Sequence, residues 1–256
     1  METLPISVII LTKNEEKNLE RCFDSVSFAK EIIVIDDNSQ DNTIAIAKKH
    51  QARILQRSLD GNFSLQRNTA LTLAQFPWIL FIDADEVVSP ELSHAIKNML
   101  ASSKPLPAYY IRRREFYLGH EVKFGEVRRV RERGLIRLMQ QGSGRWIGDV
   151  HEEYIPQDAT RVGLLQGLLD HFPHQNLKIF LADINRYSTL RAKELYRHKV
   201  PIRIWEIVAY PFGKFLYTCI WLQGYRDGAH GFIYSFMMSF HSFLVRTKLY
   251  QYTYFR

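Results

Sequence analysis

The chain reads as an α/β fold: a mostly parallel sheet flanked by helices, with an aromatic-rich helical extension at the C-terminus. Three observations predict it. Apolar strands alternate with helices of about ten residues through the first hundred positions, the pattern of βαβ units. Three of those strands stop abruptly on polar, mostly acidic residues. From Pro201 onward the composition shifts to closely spaced aromatics.

The elements follow in order. Ile6-Ser7-Val8-Ile9-Ile10-Leu11, apolar but for Ser7, is the first strand. A helix passes through Asn18 to Phe23 and ends near Val26. Glu31 to Ile35 is the second strand. Asp41-Asn42-Thr43 opens a helix that reaches about His50. Arg53 to Leu55 is a short third strand, and a helix covers about Leu65 to Ala74. Trp78 to Ile82 is the next strand. Ser89 then serves as N-cap with Pro90 at the first helical position, and that helix runs to about Leu100.

Past Ser102 the alternation stops. Ala108–Ile111, Glu115–Tyr117 and Leu135–Met139 read as strands, Gln140 to Gly144 as a turn, and Arg145 to Glu152 as the return of a hairpin. Val162 to Leu169 is a further apolar run, ending at Asp170-His171. Leu177, Phe180, Leu181, Ile184 and Tyr187 keep helical spacing to about Arg197. This organisation gives a catalytic-type domain over 1–176, with halves 1–101 and 102–176, and a helical region over 177–256.

The chain has 256 residues, 46% of them hydrophobic and 24% charged, enough for one large domain with an appendage. Net charge is +7, concentrated in Arg112-Arg113-Arg114 and in the run Arg128 to Arg133. That charge suits an anionic membrane surface or a phosphorylated acceptor. The acidic strand ends argue against a nucleic-acid face, so no nucleic-acid partner is expected. Two cysteines, Cys22 and Cys219, make neither a disulfide framework nor a zinc cluster, which suits a reducing, cytoplasmic compartment. The start, Met1 to Pro5, lacks the basic flank of a signal peptide. Asn62-Phe63-Ser64 matches a glycosylation triplet and is read as chance.

The strand ends carry the chemistry. Trp78 to Ile82 stops on Asp83-Ala84-Asp85-Glu86. A buried strand excludes charge, and carboxylates at i and i+2 share a face, so both can turn toward one ion. Oxygen ligands select a hard cation, Mg²⁺ or Mn²⁺. The second strand runs into Asp36-Asp37-Asn38-Ser39 and the first into Thr12-Lys13-Asn14-Glu15. In an open parallel sheet ligands bind beyond the carboxyl ends of the strands, so these groups point to a nucleotide-diphosphate pocket.

Those segments, together with Gln66-Arg67-Asn68, resemble the family 2 glycosyltransferases of GT-A fold. Val150-His151-Glu152 and Gly224-Tyr225-Arg226-Asp227-Gly228 are similar to segments of the lipopolysaccharide inner-core β-1,4-glucosyltransferase branch. The resemblance covers most of the chain and is strongest to Leu100. It implies inverting transfer of a hexose, glucose first, from a UDP-linked sugar to a glycan or lipid-linked acceptor of the cell envelope. By the same resemblance Thr12, Asn14, Glu15, Asp36 and Asp37 line the nucleotide pocket, with one of the two aspartates accepting from the uracil. Asp85 is the expected metal ligand, with His151 and His171 as further candidate ion or diphosphate contacts. Asp83 holds the ribose or an outer-shell water, Arg67 reaches the diphosphate or holds Asp83, and Glu86 supports the site. Inversion needs a base opposite the leaving group; Glu152 is the first candidate and Asp149 the reserve.

Two other readings compete. A phosphatase of the haloacid dehalogenase type also ends a strand with Asp-x-Asp, but its nucleophile sits on the first strand, and here three strands precede. A non-catalytic nucleotide-sugar-binding membrane module would carry the same pocket without turnover. A nucleotidyltransferase lacks its Gly-rich loop here, and no Gly-x-Gly-x-x-Gly is present for a dinucleotide enzyme. In the tail, Gly228 to Val245 carries no formal charge. Polar interruptions and flanking Arg246 and Lys248 favour peripheral attachment to the inner membrane face, ahead of a plain helical core or oligomer contact and of a span.

Overall fold

The structure, a computed structural model, describes residues 3–58, 62–148, 152–174 and 176–255. In chain order the elements are β1 (Leu4–Thr12), α1 (Leu19–Ser25), β2 (Ala29–Asp36), α2 (Thr43–Lys49), β3 (Arg53–Gln56), α3 (Phe63–Leu73), β4 (Trp78–Asp83), β5 (Glu86–Val88) and α4 (Pro90–Leu100). There follow β6 (Ala108–Tyr117), β7 (His120–Val122), α5 (Arg128–Arg133), β8 (Leu135–Gln140), β9 (Gly144–Ile147), β10 (Glu153–Pro156) and β11 (Val162–His174). The chain closes with α6 (Leu177–Arg197), α7 (Glu206–Leu216), a π-helical turn Tyr217–Trp221 and α8 (Gly228–Tyr254). The fold class is the one read from the sequence, helical extension included.

The chain forms two compact units, Met1–Arg114 with Glu132–His171, and Glu115–Arg131 with Phe172–Arg256. They interleave, whereas the sequence reading draws a single boundary at 176. The reason is visible in the second unit: Asp227 Oδ2 accepts the backbone N–H groups of Lys123 and Phe124, both at 2.8 Å, which ties the insert to the tail helices.

In the first unit the sheet order is β3-β2-β1-β4-β8-β6-β11-β5. The β1–β2, β1–β4 and β2–β3 pairs are parallel, and β8 adds to β4 antiparallel. Register brings the acidic ends together: Thr12 pairs with Asp36, and Leu11 with both Ile35 and Asp83. Alternate side chains leave the two faces of the sheet. Ile6, Val8 and Ile10 pack on one face with Leu19 and Phe23 of α1 and with Leu92 and Ile96 of α4. Ile9, Ile33, Ile35, Ile79 and Phe81 pack on the other with Ala70 of α3 and with Trp146 and Tyr154 of β9 and β10. Apolar layers on both sides explain why these strands read as continuous apolar runs rather than alternations.

Local signals hold where they have a mechanism. Ser89 Oγ accepts from Leu92 N with Pro90 at the first turn. Asn62 Oδ1 accepts from Leu65 N and from Ser64 Oγ, so the Asn-Phe-Ser triplet is a helix cap. The arginine-rich run forms α5, which buries none of its residues and so offers no apolar period to read. β11 continues to His174, past the predicted end of its apolar run, which places Asp170 and His171 inside a strand.

The second unit has its own core of Tyr117, Val122, Val127, Phe180, Ile184 and Met237. α6 and α8 are stapled by Lys248, whose ammonium donates to Asn185 O and Oδ1, Ser188 Oγ and Thr189 Oγ1. α7 lies on α8 through Ser239 Oγ, which donates to Pro211 O at 2.6 Å, and through the edge-to-face rings of Phe215 and Phe232. No residue of α7 is buried. Among the described residues no helix is long and apolar enough to cross a membrane.

Candidate active site

The site is built where the parallel strands end. Asp36, fully buried, is the last residue of β2; its carboxylate accepts from Ser39 N at 2.9 Å and from Ser39 Oγ. Asp37 N donates to Thr12 O, and Asp37 Oδ2 takes Lys13 Nζ at 2.6 Å. Thr12 Oγ1 is buried and, among the described residues, has no hydrogen-bond partner. A buried hydroxyl without a partner costs about 1–3 kcal/mol, so this one marks a place where a ligand can bond.

Asn14 and Glu15 are drawn into bracing the loops. Asn14 sits at φ +56°, its N–H donates to Ser39 Oγ and its Oδ1 accepts from Gln40 N at 2.7 Å. Glu15 N donates to Thr43 Oγ1, and Glu15 Oε2 accepts from Asn18 Nδ2. The β1–α1 and β2–α2 loops are thereby held together over the ends of their strands.

Asp83 is gripped at both oxygens. Arg67 Nη2 donates to Oδ1 at 3.0 Å and Arg137 Nη2 to Oδ2 at 2.8 Å. Burial pushes the Asp83 carboxyl upward, but the charges of Arg137 and Arg67 outweigh it and hold the group well below the ordinary carboxylate range. Glu86, wholly buried, accepts from Asp83 N at 2.9 Å and pairs with Arg113 at 3.2 Å and with Arg137 at 3.3 Å. It fixes the turn after β4. Beneath the turn lies the Cys22 thiol, pushed up by burial and by the nearby carboxylates of Glu86, Asp85 and Asp83.

Asp85 leaves this arginine cluster. Its Oδ2 lies 3.2 Å from Nε2 of His171 on β11. A carboxylate oxygen and an imidazole nitrogen at that separation fit one divalent cation, with remaining positions for phosphate oxygens and water. Among the described residues no group of three or more metal-binding side chains is present. Asp149 and His151 lie outside the described residues.

Glu152 stands at the head of β10, and its Oε1 accepts from Arg67 Nε at 2.8 Å. The structure thus brings Arg67, Asp83 and Glu152 together across three separate elements. Arg137 and Arg113 are missed by the sequence reading. The signal for Arg137 was present: one arginine in the apolar run Leu135-Ile136-Arg137-Leu138-Met139 requires a buried carboxylate partner.

A sheet whose parallel strands end in carboxylates, extended by antiparallel strands and flanked by helices, is a GT-A fold. The same fold occurs in the crystal structure of S. aureus TarS 1-349 in complex with UDP-GlcNAc, at TM-score 0.50 and 15% identity over 100% of this chain and 93% of that one. The chain belongs to glycosyl transferase family 2, whose model matches residues 7–151. It is 29% identical over 255 residues to the lipopolysaccharide core biosynthesis glycosyltransferase LpsC of Rhizobium meliloti (strain 1021), covering 97% of this chain and 93% of that protein. It is also 29% identical over 268 residues to an uncharacterized glycosyltransferase of Rickettsia bellii (strain RML369-C), covering 96% and 86%. The enzyme is a glycosyltransferase, and the phosphatase reading is not favoured.

Proposed function

We propose that this enzyme transfers a hexose, glucose first among candidates, from a UDP-linked donor to a cell-envelope glycan such as lipopolysaccharide core, with inversion at the anomeric carbon. The observation that carries the reading is the Arg67 bridge, which sets the acidic donor-side end of β4 beside Glu152. The similarity to LpsC supports the acceptor class. In this reading Asp36 or Asp37 accepts from the uracil, and Thr12 Oγ1, Asn14 and Glu15 line the same pocket. Asp83 faces the ribose while its two arginines keep it ionised.

Asp85 and His171 would hold Mg²⁺ or Mn²⁺, with His151 as a further candidate ligand. When bound, the ion supplies Lewis-acid stabilisation of the charge that grows on the leaving diphosphate. Glu152 takes the proton of the acceptor hydroxyl as that oxygen bonds to the anomeric carbon from the face opposite the diphosphate. The bond from the anomeric carbon to the phosphate oxygen breaks, and UDP leaves with its electron pair. Asp149 is the reserve base.

The acceptor would be lipid-linked, with the enzyme attached peripherally at the inner face of the cytoplasmic membrane. Support comes from the second unit, which carries 16 Lys and Arg against 7 Asp and Glu, and from the exposed aromatics of α7. The test of function is a donor screen. With Mn²⁺ present, UDP-glucose should raise the melting temperature, since a ligand at a hundredfold excess over Kd stabilises by about 2.7 kcal/mol. Acceptor-dependent UDP release should follow. Stabilisation by no nucleotide sugar would remove the proposal, and binding without release would favour a non-catalytic module.

A further inference from the structure

The base proposed above is held by Arg67, the residue already read as a contact of the diphosphate or of Asp83. Arg67 on α3 is buried. Its guanidinium carbon lies 4.7 Å from the ring centre of Trp146 and 5.6 Å from that of Phe81. Trp146 is itself clamped to the neighbouring residue of α3: Trp146 N donates to Asn68 Oδ1 at 2.9 Å, and Asn68 Nδ2 donates to Trp146 O at 2.8 Å. In β10, Tyr154 pairs with Trp146 in register and stacks edge-on against it. The hairpin that carries Glu152 is therefore pinned to α3 at its stem by Asn68 and at its head by Arg67.

The two ends of Arg67 are used differently. Nη2 bonds Asp83 and Nε bonds Glu152 Oε1. Among the described residues Glu152 Oε2 makes no hydrogen bond. We propose that Arg67 is a positioning residue for the transfer step: it holds Glu152 by Oε1, presents Oε2 to the acceptor hydroxyl, and locks that orientation to the donor-side carboxylate Asp83. A lysine cannot substitute. It offers a point charge on a flexible stem, whereas the planar fork donates in two fixed directions while stacked on an indole. The inference rests on reading Glu152 as the base, and the experiment separates the two.

The experiment is a double-mutant cycle on the full chain, with saturating UDP-glucose and Mn²⁺. Arg67→Lys should lower kcat about 100-fold, the cost of misplacing a reacting group by an ångström. Glu152→Gln should lower it by about 10²–10⁴. If Arg67 acts through Glu152, the double variant is no slower than Glu152→Gln alone, because coupled residues are not additive. If Arg67→Lys costs the same factor in both backgrounds, or raises KM for the donor with kcat unchanged, Arg67 serves donor binding or stability and the proposal is overturned. Wild-type turnover in Glu152→Gln removes the base assignment itself, and the inference with it. Should Arg67→Lys fail to fold, Arg67→Gln, neutral and with its donors on a single amide, takes its place in the same cycle.

Discussion

Asp85 Oδ2 lies 3.2 Å from His171 Nε2, while Asp83, two residues earlier, is held by arginines. The two carboxylates of Asp-Ala-Asp thus have different hydrogen-bonding neighbours, guanidinium groups at Asp83 and an imidazole nitrogen at Asp85. Asp85→Ala and His171→Ala should each abolish the part of donor affinity that disappears with EDTA. Titration of UDP-glucose with and without Mn²⁺ measures it. A metal increment that survives both substitutions would show that the ion is held elsewhere.

Arg137 bridges Asp83 and the wholly buried Glu86. Arg137→Met keeps an unbranched apolar stem but removes the guanidinium, leaving the two carboxylates a partner short. Stripping one member from a buried pair costs about 3–5 kcal/mol, so the urea midpoint should fall sharply. A midpoint within error of wild type would mean that Arg67 and Arg113 suffice to compensate.

Much of the site is legible in sequence for a geometric reason. Parallel pairing aligns the carboxyl ends of strands, so Thr12, Asp36 and Asp83 meet because each follows an apolar run of similar length. The link from Arg67 to Glu152 is not legible, since the two are 85 positions apart and no spacing encodes a hairpin folded onto α3. Nor are the bracing bonds of Asn14 and Glu15, which depend on a left-handed turn at Asn14. The interleaved units escape a linear reading because Asp227 caps a loop about a hundred residues away.

Asp41 ties the second of the braced loops to the first. Its Oδ1 accepts from Thr43 N and Oγ1, and its Oδ2 from Glu16 N at 3.1 Å. Burial pushes its carboxyl up, but the Thr43 and Glu16 hydrogen bonds prevail and its pKa is lowered. A carboxyl lowered on folding adds stability above its unfolded pKa of about 3.9 and loses it as pH falls through the folded value. Asp41→Asn should cost about 1 kcal/mol at neutral pH, and the gap from wild type should close toward acid. Urea midpoints compared between neutral and acid pH give the answer. A gap that stays constant with pH would assign the loss to geometry rather than charge.

Gly231 sits one turn into α8, where an added Cβ would lie 2.0 Å from Gly224 O and 2.8 Å from Asp227 Cβ. The Gly224–Gly228 segment is therefore packed against the helix it precedes. Gly231→Ala would raise intrinsic helix propensity by about 1 kcal/mol, yet the overlap with backbone should dominate and destabilise the protein by about 1–3 kcal/mol. Thermal unfolding measures the sign, and a stabilised variant would mean that the packing yields.

Trp205, Val208 and Phe212 recur at helical spacing and are 55%, 69% and 63% exposed. Trp221, in the π-helical turn that follows α7, is 77% exposed. Large aromatics in water beside a strongly basic unit fit an anionic bilayer interface. The full chain should float with vesicles containing phosphatidylglycerol, less so as salt rises, because each basic residue near such a surface contributes about 1 kcal/mol that salt screens. Trp205→Glu combined with Phe212→Glu should abolish the salt-resistant part while the donor-induced rise in melting temperature stays intact, since both residues lie in the second unit, outside the sheet that carries the strand-end carboxylates. If the double variant floats as well as wild type, α7 is not the attachment face. If wild type does not float on anionic vesicles at low salt, peripheral attachment through this unit is wrong.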